Sequence, residues 1–103
     1  TTIKPPFPKY KYGEPEALTE ALEYISKTYG EHYVGDEEIQ ALDYFASVDI
    51  AETIGFCRFN AMKYLARFGK KKGKNDLDLL KAIHYTILLK HFVHKQSGEK
   101  NES

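Results

Sequence analysis

The chain is organised around residues 60–81, which read NAMKYLARFG (60–69), KKKGK (70–74) and NDLDLLK (75–81). The first segment has helical spacing, and Gly69 offers the left-handed conformation with which helices commonly end. Asn75 or Asp76 offers a side-chain oxygen that can cap the first turn of another helix. This stretch therefore predicts two helices joined by a short cationic loop.

Apolar residues recur at helical spacing in four segments of the chain, and no segment shows the alternation of a strand. We therefore expect an all-α fold, a compact bundle of about four helices in one domain. In chain order, the first predicted helix runs from Pro15 to Gly30, and the second begins after a cap at Asp36 and contains Leu42. The third runs from Ile50 to Phe68 and the fourth from Asp76 to Val93. Ser47 or Asp49 is expected to cap the third of them.

The two ends of the chain differ from the helical part. Pro5, Pro6 and Pro8 exclude a helix, so residues 1–14 are predicted to form an extended arm in which lysines alternate with aromatic residues. Such an arm packs across its own domain or a neighbouring subunit, or stacks on nucleic acid. The helical domain is placed at residues 15–95, and the polar residues 96–103 predict a frayed tail.

The predicted core follows the apolar stripes of the helices. Its expected members are Leu18, Ala21, Leu22 and Ile25; Ile39, Leu42 and either Tyr44 or Phe45; Ile54, Cys57, Ala61, Leu65 and Phe68; and Leu77, Leu80, Ile83, Ile87, Leu88 and Phe92. Tyr64 is expected at the border of this core. His84, His91 and His94 are expected at the surface or at its boundary, because no further ligand stands at metal-binding spacing, and no metal site is predicted.

The net charge of zero hides an uneven distribution. Residues 1–49 contain four lysines and ten acidic residues, a net charge of −6, whereas residues 50–103 contain eleven basic and five acidic residues, a net charge of +6. An acidic half can dock on a basic half within one chain or between chains. Cys57 alone cannot form an internal disulfide and predicts a buried thiol in a reducing compartment. No apolar run reaches the length of a membrane span, so we expect a cytoplasmic protein without a membrane partner.

The candidate binding residues lie on the cationic side of residues 60–81. Asn60, Lys63 and Arg67 share one helical face at positions i, i+3 and i+7. Four lysines follow in the loop, and the candidates among them are Lys70, Lys71 and Lys74. Together with the free N–H groups of the next helix, these cations predict a phosphate site. It is not a Walker loop, because the glycine spacing, the Lys-Ser/Thr ending and the preceding strand are missing.

The neighbouring polar residues can assist such a site. Asp76 and Asp78 can orient the basic side chains, bind a cation that bridges phosphates, or accept a hydroxyl proton. Asn60 can contact a base edge or a ribose hydroxyl, and Tyr64 and Tyr85 can stack or donate hydrogen bonds.

A purely structural alternative explains the same residues equally well. In this alternative two packed helices share an ion-pair seam, with Arg67 against Asp76 or Asp78 and Lys81 against another acid. Spacing alone leaves both interpretations open.

Four motifs connect the chain to known sequences. They are HY at 32–33, IQALDY at 39–44, NAMKYLARFGKK at 60–71 and DLLKAIHY at 78–85. In these residues the chain resembles a phage-encoded family of small proteins, a catalogued domain of unknown function in which some members are described as nucleotide kinases. Two positions depart from the family pattern: Arg58-Phe59 stands where Leu-Gly is frequent, and His84 where many members have Trp.

The resemblance implies a phage protein in the cytoplasm of the infected host cell that binds a nucleotide or another phosphate-bearing small molecule. It also implies an activity, the transfer of a phosphoryl group to a nucleoside monophosphate, with Mg²⁺ as the cofactor if that transfer occurs. The residues it points to are Asn60, Lys63, Tyr64, Arg67 and Lys81 as the centre of the site, with Asp76 or Asp78 as the catalytic groups.

Other functions stay open at this point. One is a non-catalytic binder that sequesters a nucleotide signal or inhibits a host protein. Another is nucleotide pyrophosphate hydrolysis by Glu20, Glu23, Glu37 or Glu38, although the paired acidic helices of those enzymes are not seen. The last is nucleic-acid binding through the basic half, a hypothesis that the zero net charge makes weaker. We expect a homo-oligomer, because a small domain encloses a ligand more easily between subunits.

Overall fold

The computed structural model describes residues 8–30, 39, 41–70 and 75–102. Within these residues the fold is all-α, without a strand, and this confirms the predicted fold class. The helices are α1 (Glu14–Lys27), α2 (Leu42–Val48), α3 (Ile50–Arg67) and α4 (Asp76–Glu102). Several sequence predictions lie outside the described residues: the arm before Pro8, the cap at Asp36, the motif His32-Tyr33, Glu37, Glu38, Lys71 and Lys74.

The predicted helix signals on either side of the cationic loop are confirmed. Gly69 has a φ of 82°, the left-handed conformation expected after α3. Asn75 is the cap of α4, because its Oδ1 accepts a hydrogen bond of 2.9 Å from the N–H of Leu77. At the other end of α3, Asp49 Oδ1 accepts a hydrogen bond of 3.0 Å from the N–H of Glu52.

Two helix boundaries differ from the sequence prediction. The helix α1 ends at Lys27, and a turn that carries Thr28 leads on to Gly30. The Thr28 hydroxyl donates a 2.7 Å hydrogen bond to the carbonyl of Ile25 and so closes that turn. In contrast, α4 continues beyond Val93 to Glu102. The only helix breaker in that extension is Gly98, which costs about 1 kcal/mol relative to alanine.

The helices α3 and α4 pack along each other and form the body of the protein, while α2 packs on α3 and α1 on α4. Buried side chains form two clusters along this body. The first consists of Leu42, Ala46, Cys57 and Phe92, and the second of Ala61, Tyr64, Ala82 and Tyr85. The second cluster places two alanines at the α3–α4 contact, so the helix backbones can approach closely there.

Several expected core positions are wrong. The exposed ones are Leu18, Leu22, Tyr44, Phe45, Leu65, Leu77, Ile83 and Ile87, whereas Tyr64 and His84 are buried. The reason is that the apolar stripe of α4 is broad enough to offer more than one face. The α3 contact selects the face with Asp78, Ala82 and Tyr85, which leaves Ile83 and Ile87 in solvent. On α1 the small side chain of Ala21 faces inward instead of Leu18 and Leu22.

None of the helices in the described part of the chain combines the length and the hydropathy needed to cross a bilayer.

Candidate functional site

Two tyrosines form an aromatic floor where α3 and α4 pack. Tyr64 of α3 is 7% exposed and Tyr85 of α4 is 1% exposed. Their rings stack with a centroid distance of 5.9 Å and an interplanar angle of 14°. Phe56 packs against Tyr85 in an edge-to-face geometry at 6.0 Å. Because both rings are held on several sides, this floor is a rigid base for the polar side chains around it.

Two lysines from different helices lie over this floor. The Nζ of Lys63, on α3, is 4.6 Å from the centroid of the Tyr64 ring. The Nζ of Lys81, on α4, is 5.2 Å from the same centroid. A cation over an aromatic face gains about 0.5–1 kcal/mol at an exposed site. Among the described residues, neither ammonium forms an ion pair with a carboxylate. Two positive charges are therefore gathered over one ring.

Arg67 completes the cationic group and has a carboxylate partner. Its Nε lies 4.0 Å from Oδ1 of Asp78, in the first turn of α4. The Asp78 side chain is only 8% exposed, while that of Arg67 is 49% exposed. The contact is too long for a hydrogen bond, so it is an electrostatic pair that holds the guanidinium beside the α3–α4 seam. The ion-pair alternative considered for these residues is thus found for Arg67 and Asp78.

Asn60 lies one turn before Lys63, and its amide NH₂ group is directed at the backbone of α3. Its Nδ2 donates a 2.8 Å hydrogen bond to the carbonyl of Phe56, in the preceding turn of α3. The amide oxygen accepts no hydrogen bond from a described residue, so it is an acceptor that a ligand can use. A ribose hydroxyl or an exocyclic amine is the type of donor it would accept.

We call Lys63, Arg67, Lys81, Tyr64, Tyr85 and Asp78 the α3–α4 cluster. Of the other candidates, Lys70 is exposed directly after Gly69, and its N–H donates a 3.0 Å hydrogen bond to the carbonyl of Arg67. Asp76 is exposed at the start of α4 and forms no ion pair with a described residue. Helix packing has therefore brought together residues that are up to 22 positions apart in the sequence.

The burial of the tyrosines changes the role expected of them. Stacking of a nucleobase needs an open aromatic face. Tyr64 and Tyr85 are covered by each other, by Phe56 and by the lysine side chains, so they do not offer such a face. Instead, the ring of Tyr64 carries the ammonium groups of Lys63 and Lys81.

Sequence reasoning missed His84, which is 2% exposed. Its ring packs edge-on against Tyr24 of α1 at 6.2 Å and at a tilt against Tyr85 at 6.4 Å. It thus connects α1 with the aromatic floor. A signal was present, because His84 occupies a position where the resembled family often has Trp, and a large aromatic residue is typical of a buried position.

Cys57 confirms the expected buried thiol. It is fully buried in the first core cluster, and burial raises its pKa from 9.0 to about 11. Because the thiolate is the reactive form, this cysteine is inert at neutral pH.

The acidic residues of the described chain do not assemble into a metal centre. Residues 8–30, 39, 41–70 and 75–102 contain no group of three or more His, Cys, Asp or Glu side chains with metal-binding geometry. Glu20 and Glu23, considered above for pyrophosphate hydrolysis, line a shallow depression of about 350 Å³ on α1. This helix contributes no residue to the α3–α4 cluster.

These features define a small all-α protein in which two packed helices hold cationic side chains over an aromatic floor. Residues 25–86 match the model of the DUF3310 family, whose description is a protein of unknown function. This is more than half of the chain, and the protein belongs to the DUF3310 family. The match spans α2, α3 and the first part of α4, so it contains the whole α3–α4 cluster. No curated protein and no solved structure gives a significant match.

Proposed function

We propose that the protein binds the phosphate group of a nucleotide at the α3–α4 cluster. The observation that carries this proposal is the pair of ammonium groups, Lys63 and Lys81, over the single ring of Tyr64. Like charges repel, and no carboxylate of the described residues pairs with either ammonium, so the arrangement favours the binding of an anion that interacts with both. Hydrogen bonds to charged groups contribute about 1.5–3 kcal/mol each, and a phosphate can accept several of them.

The arrangement suits a phosphate better than it suits a base. Arg67 stands on the same face of α3 as Lys63 and is held by Asp78, so a planar donor group is positioned next to the two ammoniums. Asn60 adds an acceptor one turn away, which fits the hydroxyl groups of a nucleoside. A nucleotide therefore matches the charge and the hydrogen-bonding pattern of the cluster together.

The family resemblance supports a more specific activity, the transfer of the γ-phosphoryl group of ATP to a nucleoside monophosphate in a phage-infected cell. In this reaction the bond from the β–γ bridging oxygen to the γ-phosphorus breaks, and an oxygen of the acceptor phosphate forms the new bond. Fixed cations stabilise the charge that develops on the transferred group. The exposed Asp76 is the carboxylate available to hold Mg²⁺, because Asp78 is paired with Arg67.

Calorimetric titration tests the binding proposal. The purified chain is titrated with ribo- and deoxyribonucleoside mono-, di- and triphosphates, and we expect saturable binding of at least one class. Lys63→Gln and Lys81→Gln should each weaken this binding at least about tenfold, which corresponds to about 1.4 kcal/mol. Lys90→Gln is the matched control, since Lys90 is an exposed lysine of α4 outside the cluster. Absence of binding, or an equal loss in all three variants, would refute the proposal.

A second assay separates catalysis from binding. ATP, Mg²⁺ and each nucleoside monophosphate are incubated with the protein, and the diphosphate products are quantified. Turnover that is lost in Lys81→Gln supports phosphoryl transfer. Tight binding without turnover assigns the protein to the non-catalytic binders that sequester a nucleotide.

A further inference from the structure

A groove of about 310 Å³ lies between α2 and the first half of α3. Its lining residues are Leu42, Tyr44, Phe45, Val48, Asp49, Glu52, Thr53 and Phe56. Two of the apolar members are strongly exposed, Tyr44 at 69% and Val48 at 70%. An exposed apolar groove of this kind is typical of a surface that binds another protein segment.

The groove is negatively charged. Two carboxylates, those of Asp49 and Glu52, line it. Residues 41–57 contain no lysine or arginine, so no basic side chain of α2 or of the first two turns of α3 neutralises these carboxylates. The groove therefore favours a partner that is aromatic and basic at the same time.

Residues 8–12, which we call the proximal arm, have this chemistry. They read Pro-Lys-Tyr-Lys-Tyr, lie outside any helix and are all exposed, with Tyr12 exposed at 85%. The N–H of Tyr12 donates a 2.9 Å hydrogen bond to Oε1 of Glu14, at the point where the arm meets α1. In this described part of the arm, the ring of Tyr12 is left almost uncovered by the domain, whereas Tyr10 is 40% exposed.

We propose that the proximal arm of one copy docks in the α2–α3 groove of a second copy. Tyr10 or Tyr12 fills the aromatic cleft, and Lys9 and Lys11 face the carboxylates of Glu52 and Asp49. The second copy is the occupant because one chain carries both complementary parts, and Tyr12 of the arm and Tyr44 and Val48 of the groove are strongly exposed within it. Reciprocal exchange of two arms closes a two-fold dimer, the commonest symmetric assembly. Phe56 lines this groove and also packs against Tyr85, but no residue of the α3–α4 cluster itself lines the groove, so the dimer can be tested independently of the nucleotide proposal.

Sedimentation equilibrium and native mass spectrometry over a range of protein concentrations test this dimer. We expect a concentration-dependent dimer whose dissociation constant rises at least about tenfold in the arm variant Tyr10→Ser/Tyr12→Ser. The groove variants Val48→Glu and Glu52→Lys should have the same effect, and circular dichroism checks that they remain helical. Leu18→Ser is the matched control, because Leu18 is an equally exposed apolar residue of α1 outside both parts. It should leave the dimer unchanged.

Mixing the variants gives the decisive test. The arm variant keeps an intact groove, and the Val48→Glu variant keeps an intact arm. Each alone is expected to be mainly monomeric, whereas the mixture should form heterodimers through one remaining arm–groove contact. A wild-type chain that stays monomeric, as it would if the arm bound its own groove, overturns the proposal. A dimer that is insensitive to these variants, or a mixture without heterodimers, overturns it as well.

Discussion

The pair between Arg67 and Asp78 makes a quantitative prediction for stability. Two unit charges 4.0 Å apart attract by about 4 kcal/mol at an effective dielectric constant of 20 and by about 1 kcal/mol in water. Asp78 is nearly buried, but the guanidinium of Arg67 is half exposed, so solvent screens the pair from one side. We therefore expect an attraction near the lower end of this range, about 1–1.5 kcal/mol. This value lies between those typical of surface pairs and of buried pairs.

A double-mutant cycle measures this interaction. Arg67→Met leaves the Asp78 carboxylate buried without its partner and should destabilise the fold by about 2 kcal/mol. Asp78→Asn removes the charge and should cost about 1 kcal/mol. The double variant should be less destabilised than the sum of the two by the interaction energy.

Urea unfolding, followed by circular dichroism, gives each free energy of unfolding. With a slope of about 1–3 kcal/mol per molar urea, Arg67→Met should lower the midpoint by about 1 M. Arg58→Met is the control, an exposed arginine of the same helix, and should change stability by less than about 0.5 kcal/mol. Additivity of the two single changes within about 0.3 kcal/mol would show that the guanidinium and the carboxylate do not interact.

Two further predictions concern the core and the loop. Because folding holds the Cys57 thiol protonated, the unfolded chain ionises first as the pH rises above 9.0, and stability should fall between about pH 9 and pH 11. In urea titrations, the free energy of unfolding of the wild type should fall by about 2–3 kcal/mol more than that of Cys57→Ala over this pH range. An equal pH dependence of the wild type and the variant would contradict this prediction. Asn75→Ala removes the cap of α4 and should lower stability by about 1 kcal/mol, whereas Asn75→Asp, which can still cap, should restore most of it.

The helix ends around the loop were predictable because they depend on local chemistry. Gly69, Asn75 and Asp49 act through backbone conformation or through hydrogen bonds that span only two or three residues. Such signals are present in the sequence itself and do not require knowledge of the packing. The end of α4 was not predictable in this way, because the polar residues after Val93 are compatible with either a helix or a frayed tail.

Which face each helix buries was less predictable. Apolar residues on α4 cover so much of its circumference that periodicity cannot select between Ile83 and Ala82, and the close contact with Ala61 decides for Ala82. The same packing buries Tyr64 and Tyr85 and so removes their open faces. The basic residues of the candidate site were recognisable from spacing and resemblance, but only tertiary contact places Lys81 over the ring of Tyr64.

The most direct test of the phosphate site is an NMR titration of the wild-type chain. The protein is titrated with a mixture of the four deoxynucleoside monophosphates, while the ring signals of Tyr64 and the side-chain signals of Lys63 and Lys81 are observed. The corresponding nucleosides, which lack the phosphate, serve as the control. We expect saturable shifts of all three side chains with the monophosphates and no comparable shifts with the nucleosides. Shifts confined to other parts of the chain, or equal shifts with the nucleosides, would contradict phosphate binding at the α3–α4 cluster.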